Sequence, residues 1–65
     1  MEKIIEIIKK YTVNYSIEND EIVIARLDDM QQERLEKELE CLRIETDSFA
    51  WNNESETEPT KLFLI

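Results

Sequence analysis

The stretch that decides the fold is TVNYSIENDEIVIARL, residues 12–27. Val13, Tyr15 and Ile17 alternate with polar residues before Asn19-Asp20, and Ile22 and Ile24 recur at the same period after it, the pattern of two half-buried strands. Asn and Asp tolerate the left-handed backbone that a two-residue turn demands. A turn there sets the pairing by parity. Ile17 faces Ile22, Tyr15 faces Ile24 and Val13 faces Arg26 on one side of the ribbon. Ser16 with Val23, Asn14 with Ala25 and Thr12 with Leu27 fall on the other. The reading predicts strands over 12–18 and 21–27, with one apolar face to be covered and one mixed face.

On the N-terminal side, residues 2–11 read as a short helix. Ile4, Ile7, Ile8 and Tyr11 recur at helical spacing, and Ile5 widens the stripe. A helix this short is marginal alone, so the stripe implies packing against a core. On the C-terminal side, Asp28-x-x-Gln31 is a capping-box-like start signal. The helix it opens is predicted to run to about Glu45, with Leu35, Leu39 and Leu42 as its core stripe. Met30, Cys41 and Ile44 form a second, weaker apolar face, read either as a self-association surface or as covered by the tail. Cys41 reads as a small buried hydrophobe rather than a reactive thiol.

Residues 46–61 change character. Phe49 and Trp51 alternate with Ala50 and Asn52 as in a short strand, and Asn53 to Thr60 is polar and acidic. Lys61 to Ile65 then reads as a final strand with two apolar faces, covered on both sides or placed at an interface. The order is helix, strand, strand, helix, strand, strand. It predicts a single α+β domain over residues 1–65, a small antiparallel sheet with the helices packed on one face.

Composition narrows the function. The chain has no His, no Gly and one Cys. A Ser-His or Cys-His nucleophile pair, a structural zinc site and a glycine-rich phosphate loop are therefore all ruled out. Asn52, Asn53, Glu54, Glu56 and Glu58 lack the spacing and the turn glycine of a calcium-binding loop. No cofactor or metal is expected, and a 65-residue chain has little room to enclose a catalytic pocket. The reading is a binding protein rather than an enzyme. The apolar run Leu62 to Ile65, which no other run exceeds, is too short for a membrane span. The charged N-terminus fits no secretory signal, so the expectation is a cytoplasmic protein, and the sequon at Asn53 is discarded.

Charge is the strongest functional signal. Sixteen acids and eight bases leave a net charge of −8. Residues 1–27 hold five acids and four bases, whereas residues 28–65 hold eleven acids and four bases. On the second helix Asp29, Glu33, Glu36 and Glu40 fall within one narrow stripe, roughly 16 Å long. Glu45, Asp47, Glu54, Glu56 and Glu58 extend the acidic run, and Trp51 is placed beside it as an apolar anchor or a core residue. The pattern suits a solvated face that keeps a small protein soluble. It also suits a contact ladder for a basic partner, and it argues against direct binding to nucleic acid.

In brevity, negative charge and compact α+β build, the chain resembles the small acidic proteins that bacteriophages make to disable host enzymes. These include anti-restriction proteins, anti-CRISPR proteins and inhibitors of uracil-DNA glycosylase. The resemblance implies an inhibitor that mimics nucleic acid. It would occupy the positive groove of a basic bacterial defence protein, such as a nuclease, in the host cytoplasm. The alternatives are a homo-oligomeric assembly module and an antitoxin. A small core further predicts a homodimer, with Met30, Cys41, Ile44, Leu62, Phe63, Leu64 and Ile65 at its interface.

Overall fold

The computed structural model of the protein describes residues 2–52 and 57–65. Helix α1 spans Glu2–Lys9, strands β1 and β2 span Tyr15–Glu18 and Glu21–Ile24, and helix α2 spans Asp29–Thr46. Strands β3, Phe49–Asn52, and β4, Thr60–Leu64, complete a four-stranded antiparallel sheet in the order β1-β2-β4-β3. The architecture is the α+β order read from the sequence.

The hairpin has the register that parity requires. Tyr15 pairs with Ile24, Ser16 with Val23 and Ile17 with Ile22. Its turn uses one left-handed residue, Asn19, with φ of 53°. The strands are shorter than expected. The Asn14 carbonyl still accepts the Ala25 N–H, but the Thr12 hydroxyl takes the Asn14 N–H, so the pairing goes no further back and Val13 is 81% exposed. At the other end the Leu27 N–H donates to the Gln32 side chain, which turns the chain into α2.

Helix α2 opens where the capping signal predicts. The Asp28 side chain accepts the Gln31 N–H at 2.9 Å. It closes at Asp47, whose φ of 49° and N–H bond to the Arg43 carbonyl form a left-handed cap. Glycine usually takes that place, and this chain has none.

Both helices pack on one face of the sheet. The core is one cluster of Ile4, Ile8, Ile22, Ile24, Leu35, Leu39, Leu42, Phe49 and Leu62. Gln32 and Thr60 are buried beside it, and the Gln32 amide donates to the Thr60 hydroxyl at 2.7 Å. Gln32 lies on the leucine stripe of α2, where a pattern of apolar residues does not count it, and Thr60 opens β4.

Strand β4 is the centre of the sheet. It pairs with β2 through Leu62–Ile22 and with β3 through Leu62–Trp51. Its alternate side chains point to the opposite face, where Phe63 is half exposed and Ile65, just past the strand, is 85% exposed.

The buried position of Leu62 generates a direct comparison. Leu62→Ala should lower stability by about 2–5 kcal/mol, the range for emptying a well-packed leucine site. Ile65→Ala should change it by no more than about 0.5 kcal/mol. Denaturant unfolding of the two variants beside the parent protein checks both values, and comparable losses would contradict the central placement of β4.

Candidate functional site

The core stripe of α2 fixes which way its acidic side faces. With Gln32, Leu35, Leu39 and Leu42 turned to the sheet, the carboxylates of Glu33, Glu36 and Glu40 come round to the edge formed by β3. Together with Lys37 and Trp51 they line a shallow groove of about 300 Å³. The sequence placed Trp51 beside the acidic stripe, and the fold brings them into contact. The Trp51 indole N–H donates to Glu40 at 3.0 Å, and the ring is half-buried against the core.

The carboxylates of this face are not equivalent. Glu40 also receives a two-pronged contact from Arg43, with Nη2 at 2.7 Å and Nε at 3.2 Å. The Arg43 bond, followed by the Trp51 bond, holds its carboxyl below the usual glutamate range against the opposing effect of desolvation. Glu33 forms an exposed ion pair with Lys37 at 3.4 Å. Glu36 is half-buried and Asp29 exposed in the first turn.

The remaining acidic residues disperse. Glu45 borders a separate hollow between the helices, beside Ile7, Glu38 and Cys41. Asp47 is the exposed cap of α2. Glu58 is exposed ahead of β4, and Glu54 and Glu56 lie outside the described residues. Sequence reasoning missed Glu38 as a structural group. It accepts from the Tyr11 hydroxyl and from Lys10 at 2.9 Å, tying the end of α1 to α2. The Tyr11 bond first and the Lys10 bond second lower its pKa, and the same contact raises that of Tyr11. Lys10, just past α1, thus forms its ion pair with Glu38 of α2.

The residues expected at a dimer interface have different surroundings, and the reading of Cys41 as buried is corrected. Cys41 is exposed, because it sits between the core stripe and the outward side of α2. Met30 and Ile44 are also exposed, at 66% and 73%, so the described residues of the tail do not cover that face. Leu62 has no exposure and Leu64 is half-buried, because β4 spends its inner face on the monomer's own core. Phe63 and Ile65 lie on the open face of the sheet, the opposite side of the molecule from Met30, Cys41 and Ile44.

Among the described residues no group of three or more His, Cys, Asp or Glu side chains is placed to hold a metal ion. Among them, too, no helix is long and apolar enough to cross a membrane. No family model, curated protein or solved structure matches the chain.

The lowered pKa values of Glu38 and Glu40 set a pH dependence. A depressed carboxylate contributes stability above its unfolded-state value, and the contribution is lost as pH falls through the folded-state value. The melting temperature should stay nearly level down to about pH 5 and fall below about pH 4.3, the ordinary glutamate value. Glu38→Gln should melt lower at neutral pH and show a shallower acid slope. Melting curves of both proteins across that range check the sign.

Proposed function

We propose that the protein is a small acidic binding protein that occupies the positively charged groove of a basic, nucleic-acid-handling partner. The acidic face of α2 and the Trp51 indole form the contact surface. One observation carries the reading: the groove that places Glu33, Glu36 and Glu40 around a half-buried tryptophan. Carboxylates steer a basic partner and set its orientation, whereas an aromatic anchor supplies the desolvated contact that holds it.

The neighbouring ion pairs do not cancel this surface. The Glu33–Lys37 pair is exposed on both sides, and such pairs typically contribute about 0–1 kcal/mol. A partner arginine can replace Lys37 with little loss. Glu40 is better read as the residue that orients Trp51 than as free charge, because Arg43 and the indole already fill its oxygens. The charge offered to a partner therefore comes chiefly from Asp29, Glu33 and Glu36. Negative charge of this density repels phosphate, so the partner is the protein that holds nucleic acid and not the nucleic acid itself.

The test follows from that division of roles. A fluorescent oligo-arginine peptide stands in for the basic groove, with binding read by anisotropy at about 50 and 300 mM salt. Asp29→Asn, Glu33→Gln and Glu36→Gln together should weaken binding by at least about tenfold at low salt, some 1.4 kcal/mol, and flatten its salt dependence. The charge-matched control Glu2→Gln, Glu6→Gln and Asp20→Asn should do much less. A stripe variant that binds like the parent at both salts would leave this face as a solvating surface and the assembly module as the reading.

A further inference from the structure

We propose that the free edge of β1 is a self-association surface, on which a second copy adds its own β1 antiparallel to make a continuous eight-stranded sheet. The inference concerns the sheet edge opposite the acidic groove and is independent of it.

The backbone supplies the first argument. Among the described residues β1 is an outer strand of the sheet, with β2 on one side only. The Ala25 N–H donates to the Asn14 carbonyl at 2.9 Å, so Asn14 turns that carbonyl toward β2. Orientation alternates along a strand, so Ser16 and Glu18 do the same, and Tyr15 and Ile17 aim their N–H and C=O groups at the open edge. Such groups are a template for a further strand unless charge, proline or a covering element blocks them. β1 reads Tyr-Ser-Ile-Glu, with its single charge at the turn end.

Side chains select the register. With Ser16 opposite Ser16 of the partner subunit, Tyr15 faces Ile17 of the partner subunit on the helix-covered side. Ile17 is 46% exposed in the single chain, and Tyr15 is half-buried. The same register puts Asn14 opposite Glu18 of the partner subunit, so no like charges meet. Beside the strand, Val13, Tyr15, Val23, Ala25 and Pro59 line an open groove of about 430 Å³, apolar surface that the neighbouring copy can cover.

Charge decides between the two sheet edges. Two copies of a chain with net charge −8 must meet where that charge is thinnest. The β3 edge carries Trp51 and the Glu33, Glu36 and Glu40 face, so pairing there brings two acidic faces together. The β1 edge carries one carboxylate, Glu18, at its turn end, with Asp20 and Glu21 in and just past the turn, fewer acids than the α2 face brings to the β3 edge.

The register makes the test specific. In a Cys41→Ser background, Ser16→Cys places two thiols at a non-hydrogen-bonded pair, where Cα atoms are about 4.5 Å apart and a disulfide forms readily. This variant should oxidise to a covalent dimer, and Glu18→Cys should not. In sedimentation across the micromolar range the parent protein should dimerise. Ile17→Lys, which puts a charge into the pairing edge, should weaken the dimer at least tenfold while keeping its helical content. A parent protein that stays monomeric throughout would overturn the inference and leave the edge to a strand of a different protein. A dimer unchanged by Ile17→Lys but dissolved by Met30→Lys with Ile44→Lys would overturn it in favour of the outer face of α2.

Discussion

Strands β2 and β3 both run antiparallel to β4 and hence parallel to each other, separated by a gap of roughly 10 Å, twice the spacing of paired strands. The chain leaves β2, crosses the sheet through the 18 residues of α2, and lays down β3 with that gap still open. Only β4 fills it. Until residues 60–64 arrive, Ile22 and Trp51 lack the neighbour Leu62 that joins them, and the backbone of β2 has no partner on that side. The sheet is thus two fragments until its middle strand is in place. A central strand that completes pairings across some forty residues makes the fold non-local, which slows folding even when stability is adequate.

The buried pair of Gln32 and Thr60 connects this constraint to the surface. Gln32 sits at the start of α2 and Thr60 at the start of β4. The Gln32 amide donates to Thr60, and its oxygen accepts the Leu27 N–H, so both ends of the side chain are engaged. A buried amide that lost either partner would leave a polar group unsatisfied, at a cost of about 1–3 kcal/mol. The arrangement therefore resists rotation of α2 about its own axis. With rotation fixed, the three leucines face inward and Glu33, Glu36 and Glu40 have one place to go, the rim beside β3. The charged face is positioned by what lies in the core.

The parts of this structure legible in the sequence are those governed by near neighbours. Alternation about Asn19-Asp20 fixes the hairpin register because a one-residue slip would turn every buried isoleucine outward. Asp28 announces α2 because a helix start needs a side-chain acceptor within three residues. The central place of β4 is not legible in this way. Its two apolar faces say that it is covered, but whether by its own chain or another depends on partners some forty residues away in β2. Gln32 escaped because an apolar pattern counts only apolar residues, although it lies three residues before Leu35 on the same stripe. Glu38 and Glu40 looked like two more carboxylates in an acidic helix. The fold makes one a brace for Tyr11 and Lys10 and the other a brace for Trp51, and only tertiary contact distinguishes them from their exposed neighbours.

The sheet carries its charge unevenly from one edge to the other, and the connectivity explains why. β1 comes from the part of the chain where acids and bases nearly balance, and β3 follows a helix rich in glutamate. Because the order β1-β2-β4-β3 sends these segments to opposite edges, a charge difference along the sequence becomes one across the molecule. Any basic surface approaching this protein is drawn toward the β3 side, and any like-charged copy is turned toward the β1 side. A uniform distribution of the same net charge would give neither preference. The placement of β4 therefore does more than close the core: by holding β3 one strand further out, it keeps the acidic groove and the β1 edge as far apart as a four-stranded sheet allows.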